Sequence, residues 1–398
     1  MIDSRQLIVL DGRVGEGGGQ ILRTGLALSA ITGAPVEIFN IRAGRSKPGL
    51  AAQHLTGVRA VAAACNGRLD GDFLGSDRVA MSPGQIRAGE YELDIAAERP
   101  SAGAVTLVMQ ALLPVLALAD GPSRVLLHGG THVEWSPSFH YLDQVLKPTL
   151  AAVGVHFKVH LRSWGWYPQG GGAIGVDVAG RAEMYGVDWT ERGPIRAISG
   201  VSVVSDLPFD IAERQAHTAR DMLAAALPQV PIDIAEESIE SAGRGSFFFL
   251  RAEYGGGGGE KGMDSGSRVD DGSGVDDGSG VDDGSGMSDG SGVNNGDLRQ
   301  APPAGFSALG RRGKRAETVG REATAALLSH HRSGAALDDH LADQVLPFLA
   351  LASGTSRYTS PRISGHLRTN AWVCERLLDN RVNLHEDLPC TVEIHGTG

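Results

Sequence analysis

The chain has 398 residues, 41% of them hydrophobic, enough for one large core or two domains. It has no run of eighteen apolar residues and no charged n-region leading into an apolar stretch, and Cys65, Cys374 and Cys390 form no C-x-x-C pair, so a cytoplasmic protein without membrane span, secretory signal, disulfide framework or structural zinc is expected. The net charge of −11 argues against a nucleic-acid partner until its distribution is read: residues 255–302 carry ten acids and three bases, the remainder 33 bases and 37 acids, which leaves a local basic site for a polyanion open.

In chain order, the apolar run LIVLDG (7–12) reads as a strand, and GEGGGQILRTG (15–25) opens a helix behind it. Its glycines leave backbone N–H groups bare at a helix N-terminus, a cradle for phosphate, although it is neither a Walker A loop nor G-x-G-x-x-G. Glu16 is out of place beside an anion unless it caps the helix or helps hold Mg²⁺ against phosphates. Arg23, one turn in, can reach the same phosphate or lie on the surface. IRAGRSKPGLAAQHL (41–55) then places Arg42, Arg45 and Lys47 behind a strand and Gln53 and His54 on the next helix. Three cations without interspersed acids read as a phosphate clamp, Arg through its bidentate fork and Lys as a point charge.

A repeat runs through the rest. LPVLALADGPSRV (113–125) and LPFLALASGTSRY (346–358) share their pattern across 233 residues, and LALSAITGAPVEI (26–38) is a third copy. Each reads as an apolar helix, a glycine stop and a strand, so the chain is expected to be built from related αβ units. Six positions before each L-A-L stand Gln20, Gln110 and Asp343. These polar residues either converge on one cavity or are ordinary first-turn residues. GGTHVEWSPS (129–138) and WGWYPQGGG (164–172) carry Trp135, Trp164, Trp166 and Tyr167, which can stack on a base or pack at strand ends. From 184 to 310 a strand, a helix and the hairpin strands GSFFFLRAEY and AGFSALG suggest a smaller inserted α/β domain. Its loop at 255–302, with the six-residue repeat VDDGSG, should be disordered. A calcium-binding Asp/Gly array is the weaker reading, because that period fits neither known calcium repeat. Near the C-terminus SGHLRTN (364–370) opens a last helix with His366, a structural histidine or a nucleophile that attacks phosphorus as neutral imidazole. Asp343 and Gln344 are candidates to bind a nucleotide or orient that ring.

GEGGGQILRTGLALS, IRAGRSKPGLAAQHL, DGPSRVLLHGGTHVEWSP, YPQGGG, GFSALGRRGKRAE, HLADQVLPFLALASG and SGHLRTN together resemble the RNA 3'-terminal phosphate cyclases, from about residue 7 to 393. The resemblance implies an α/β (α+β) fold of three repeated αβ units, each a four-stranded sheet with two helices, plus the inserted domain. Units one and two would occupy 1–183, the insert 184–310 and unit three 311–398. It also implies ATP-dependent closure of an RNA 3'-phosphate to a 2',3'-cyclic phosphodiester through enzyme-histidine-AMP and RNA-adenylate intermediates, releasing AMP and pyrophosphate. His366 takes the nucleophile's position, Glu16 a metal-associated one for Mg²⁺ or Mn²⁺, and Arg23, Arg42, Arg45 and Gln53 phosphate-handling ones. Gln110, Pro137, His340, Asp343 and Gln344 match the surroundings of the adenylate, His340 standing where some members have a tyrosine. RNA with a 3'-phosphate end and ATP are the expected partners, with no membrane, and a homodimer is left open. The runner-up is a non-enzymatic relative that acts as a binding protein in ribosome assembly, a branch that lacks the histidine. More remote are the enolpyruvyl transferases, built from similar repeated units.

Overall fold

The computed structural model describes residues 6–255 and 301–397. The expected disordered Asp/Gly/Ser loop lies, apart from its ends, outside the described residues. The fold is mixed α/β, with four four-stranded sheets.

Three sheets share one plan. The first has the order β1 (Ile8–Asp11), β2 (Val36–Phe39), β4 (Val79–Ser82), β3 (Arg68–Asp70), and the second the order β5 (Glu90–Asp94), β6 (Ser123–Gly129), β8 (Gly172–Val178), β7 (Phe157–Ser163). The third runs β15 (Arg381–His385), β16 (Cys390–His395), β14 (Thr355–Ser360), β9 (Asp188–Trp189). In each, the first strand in sequence pairs parallel with the second, and the fourth lies antiparallel between second and third. Parallel neighbours require a crossover, supplied by the repeated helices α1 (Gln20–Thr32) and α3 (Val105–Ala117), while the longer β9–β14 connection ends in α8 (Asp339–Leu351). The second helices are α2 (Ala52–Ala64), the run of α4 (Phe139–Tyr141), a π turn (Leu142–Leu146) and α5 (Lys147–Ala152), and α9 (Gly365–Leu378).

The helices meet in the middle of the molecule: α1 packs on α3 and α9, α3 on α2 and α8, and α9 on α8. Of the thirteen residues of α3, eleven are buried, as expected of a helix enclosed on all sides. Cys65, Cys374 and Cys390 are buried free thiols.

The fourth sheet, β11 (Ile232–Ile239), β10 (Ile195–Ser205), β12 (Gly245–Tyr254), β13 (Ala304–Leu309), has a different order. The hairpin strands GSFFFLRAEY and AGFSALG pair antiparallel as β12 and β13. Helices α6 (Asp210–Ala226) and α7 (Ala316–Ser333) cover one face and close a second core with Ala216, Leu223, Phe248, Val319 and Leu327. Asp188–Trp189, beyond residue 184, pairs with β14 of the third sheet, and α7, beyond residue 310, closes on the core of the fourth. Among the described residues no helix is long and apolar enough to cross a membrane.

Candidate active site

The Gly-rich turn before α1 is shaped by α9. Gly15 has φ 69°, and a Cβ there would fall 1.9 Å from Thr369 Oγ1, so glycine meets both a left-handed backbone and a close approach. Thr369 Oγ1 also accepts from Glu16 N at 3.3 Å. Neither α1 nor α2 has a side-chain N-cap, which leaves first-turn N–H groups for an anion.

Onto this turn converge Glu16, Arg45 and His366. Arg45 Nη2 lies 3.0 Å from Glu16 Oε2 and His366 Nε2 lies 3.4 Å from the same oxygen. Ser364 caps α9, its hydroxyl accepting from Leu367 N at 3.0 Å, and so fixes the helical turn that presents His366. The imidazole is half-buried; burial, then the nearby Arg23, His340 and Arg45 charges, lower its pKa below the ordinary histidine value against the opposing pull of Glu16. The ring therefore favours the neutral, nucleophilic form.

Arg23 is enclosed, and burial lowers its pKa to about 10, still cationic at neutral pH, with Asp343 and Glu16 opposing the shift. It donates to Gln20 Oε1, and its Nε is buried without a partner. His54 stands beside it: burial and the Arg42, Arg23 and Arg45 charges push its pKa down to about 3, so this ring meets an anion as a neutral donor. Arg42, at φ 54°, donates to Gly49 O at 2.7 Å. Gln53 accepts from Ala104 N at 2.9 Å and thereby anchors the loop before α3. Lys47 is exposed on the Arg42 loop, and no hydrogen bond or ion pair ties it to Glu16 or His366.

Behind this cluster a cleft opens among α1, α3, α8, α9 and the π turn, lined by Gln20, Arg23, Gln110, Gln344 and Asn370 over an apolar floor that includes Met109, Leu146 and Phe348. Gln20 and Gln110 from the aligned repeat positions do converge here, whereas Asp343 is buried behind the lining. Burial holds its carboxyl well above the usual range, with Arg23 opposing. Gln344 Nε2 donates to His340 O at 3.0 Å, and its Oε1 is buried without a partner. His340 is exposed and caps through its N–H onto Asp338 Oδ1 at 3.0 Å. Pro137 O accepts from Thr106 Oγ1 at 2.7 Å, tying its loop to α3.

Thr24, Thr369 and Asn370 were not singled out from the sequence, yet they join the elements. Pro347 lacks the N–H that would bond Asp343 O, and Asn370 Nδ2 fills that carbonyl at 2.7 Å. Asn370 Oδ1 accepts from Gln20 Nε2 at 2.9 Å and Thr24 Oγ1 at 2.6 Å. The signal available was a proline inside each of two repeated helices, Pro114 and Pro347, each of which frees a carbonyl.

Among the described residues no three His, Cys, Asp or Glu side chains converge as a metal cage. Glu16, in contact with Arg45 and His366, is a carboxylate placed to share an ion that keeps waters and binds substrate phosphates.

The family model for RNA 3'-terminal phosphate cyclase matches residues 14–384. The chain is 44% identical to the RNA 3'-terminal phosphate cyclase of Methylococcus capsulatus, over 98% of this chain and 97% of that one. It is 42% identical to that of Nostoc punctiforme, over 95% and 96%, and 36% identical to that of Methanopyrus kandleri, over 98% and 99%.

Proposed function

The chain belongs to the RNA 3'-terminal phosphate cyclase family, and from that premise we propose that it uses ATP to convert an RNA 3'-terminal phosphate into a 2',3'-cyclic phosphodiester, with His366 as the nucleophile. The observation that carries this reading is a largely neutral imidazole 3.4 Å from Glu16 Oε2, beside Arg23 and Arg45 and one helical turn before Asn370, which lines the cleft between the helices.

The neutral imidazole attacks the α-phosphorus of ATP. A P–N bond forms, the bond to the bridging oxygen breaks, and pyrophosphate leaves. An oxygen of the RNA 3'-phosphate then displaces the imidazole, carrying AMP to the RNA. The vicinal 2'-hydroxyl attacks the activated phosphorus, gives its proton to solvent and expels AMP. Arg23 and Arg45 neutralise phosphate charge, the uncapped starts of α1 and α2 supply N–H donors, and little else is needed where positioning and charge dominate. Glu16 would hold Mg²⁺ or Mn²⁺, which when bound neutralises charge on the triphosphate. Gln110 and Gln344 would receive the base, the unpartnered Gln344 Oε1 accepting from an amino group, with Pro137 and His340 at the rim. Arg42, Gln53, His54 and Lys47 would lie towards the RNA phosphates.

The test is incubation of wild type and His366→Ala with ATP labelled at the α-phosphate and either metal, followed by a denaturing gel. An acid-labile, alkali-stable label on wild type alone is expected. No label, or equal label on the variant, sinks the nucleophile assignment and favours a binding protein.

A further inference from the structure

The four aromatics of the two Gly-rich turns part company in the fold. Trp164 and Trp166 stack on each other, with Trp164 against His132 at 4.2 Å between ring centres. Trp135 is 95% exposed and Tyr167 77%. Trp135 also has φ 64°, a costly backbone for a bulky residue, so strain is spent on an indole that packs on nothing. Their loops are joined: Thr131 N and His132 N both donate to Gly165 O, at 3.0 and 3.1 Å.

These loops border the active site on one side and the fourth sheet on the other. A Cβ at Gly170 would fall 3.1 Å from Ser101 O, in the loop that Gln53 anchors, and one at Gly171 2.9 Å from Ala242 Cβ. Trp166 Nε1 donates to Ser241 Oγ at 2.8 Å, and Gly310 N donates to Ser246 O at 2.8 Å just before exposed Arg311 and Arg312. A Cβ at Gly245, next to Ser246, would fall 2.1 Å from Trp166 Cδ2, so the chain leading into Arg311 and Arg312 starts beside the Trp166–Tyr167 turn; Arg99, Arg311 and Arg312 are exposed and pair with no carboxylate among the described residues. Of the nearby acids, Asp206 is matched by Arg244 at 2.8 Å, Glu134 adjoins Trp135, and Glu240 is exposed beside Ser241.

Exposed aromatic faces on loops neighbouring exposed, unpaired cations, on a chain of net negative charge, are what a single-stranded nucleic acid uses: rings stack on bases of any sequence while cations track the backbone. We propose that this surface is the track for the RNA strand leading away from the reacting terminus, with Trp135 and Tyr167 stacking on bases and Arg311 and Arg312 meeting phosphates. It rests on the reading of RNA as substrate.

The experiment compares wild type, a Trp135→Ala/Tyr167→Ala double variant and an Arg311→Ala/Arg312→Ala double variant. Each is given a 3'-phosphorylated RNA of about twelve nucleotides, within the range a stacking groove spans, or a 3'-phosphorylated dinucleotide. Cyclisation kinetics, anisotropy of fluorescein-labelled RNA and labelling by α-labelled ATP are read separately. Wild type should bind the longer RNA at least about tenfold tighter, and each double variant should raise KM for it about tenfold, the equivalent of one lost stack or contact pair. The dinucleotide KM and the protein label should stay unchanged. The arginine variant should also reduce the salt slope of binding by about 1.4, roughly 0.7 per lost contact on single strands. A wild type without length preference, or variants that keep it, overturns the track. Length-dependent binding through these residues without cyclisation or label keeps the track and defeats the proposed reaction instead.

Discussion

Gly18 offers a way to move one carboxylate without touching the backbone. A Cβ built there falls 1.9 Å from Glu16 Oε1 and 3.0 Å from Arg45 Nη2, whereas one at Gly44 meets nothing within 4 Å, and neither glycine has a left-handed φ. Gly18→Ala should therefore swing the Glu16 side chain away from His366 while leaving the fold intact. A substitution that only restricts the unfolded chain changes stability by about 1 kcal/mol or less, but misplacing a group by about 1 Å at a reacting centre can cost about a hundredfold in rate. The expected result is an unfolding free energy from urea titration shifted by no more than about 1 kcal/mol with adenylylation slowed about a hundredfold, and the same small stability change but unaltered adenylylation from Gly44→Ala. Equal adenylylation by Gly18→Ala would remove Glu16 from the chemistry. Glu16 was legible in the sequence because an acid in a phosphate-type loop is an anomaly. Its partners were less so, since His366 lies 350 positions away and nothing local announces that both reach one oxygen.

At the level of elements, three helices depend on one amide. Pro347 leaves Asp343 O without its intrahelical donor, and Asn370 supplies one while also accepting from Gln20 and Thr24, so α9 is fastened to α1 and α8 one turn beyond His366. Asn370 is fully buried. Asn370→Ala removes three hydrogen bonds and leaves a buried carbonyl unpaired, which should cost about 2–4 kcal/mol of unfolding free energy. Urea unfolding measures this directly, and a loss under about 1 kcal/mol would mean that water or a neighbour replaces the amide. The repeated helices were readable from their shared L-A-L and glycine stops, and the polar Gln20 and Gln110 from their place in apolar openings. Asp343 read the same way yet lies behind the cleft: the repeat fixes a position on the helix, but helix rotation and neighbouring side chains decide what reaches the cavity.

Across the whole molecule, the seams around the fourth sheet are held by neutral histidines, which repeat periodicity does not reveal. His132 Nε2 and His140 Nδ1 are 2.9 Å apart, and both rings pack on Phe247 of β12. At the other seam Arg192 bonds His330 Nε2 and O, each at 3.2 Å. The two-residue strand β9, which joins Trp189 to the third sheet next to that seam, was equally invisible, being too short for any alternation to register. Burial, the largest cause in each case, pushes His330 down to about 3 and His140 to about 4, and His132 well below the ordinary value; His54 stands at about 3. As pH falls below about 6.5, unfolded histidines take up protons that these four folded rings refuse, His330, His140 and His54 until about pH 4 or lower, so the unfolded state binds more protons and stability falls, by up to about 1.4 kcal/mol per pH unit per ring. Asp338 and Asp343 act oppositely, because burial raises both carboxyls and folding retains protons that the unfolded chain has lost above about pH 4. His331 and His366 are also lowered, chiefly by burial, so six rings against two carboxyls leave a net loss on acidification from about pH 6.5 to about pH 5. Urea midpoints across that interval should fall for wild type and fall less for His330→Gln, whose slope should drop by about one proton. An unchanged slope in that variant would mean that His330 already takes up its proton in the folded chain, with the Arg192 seam open.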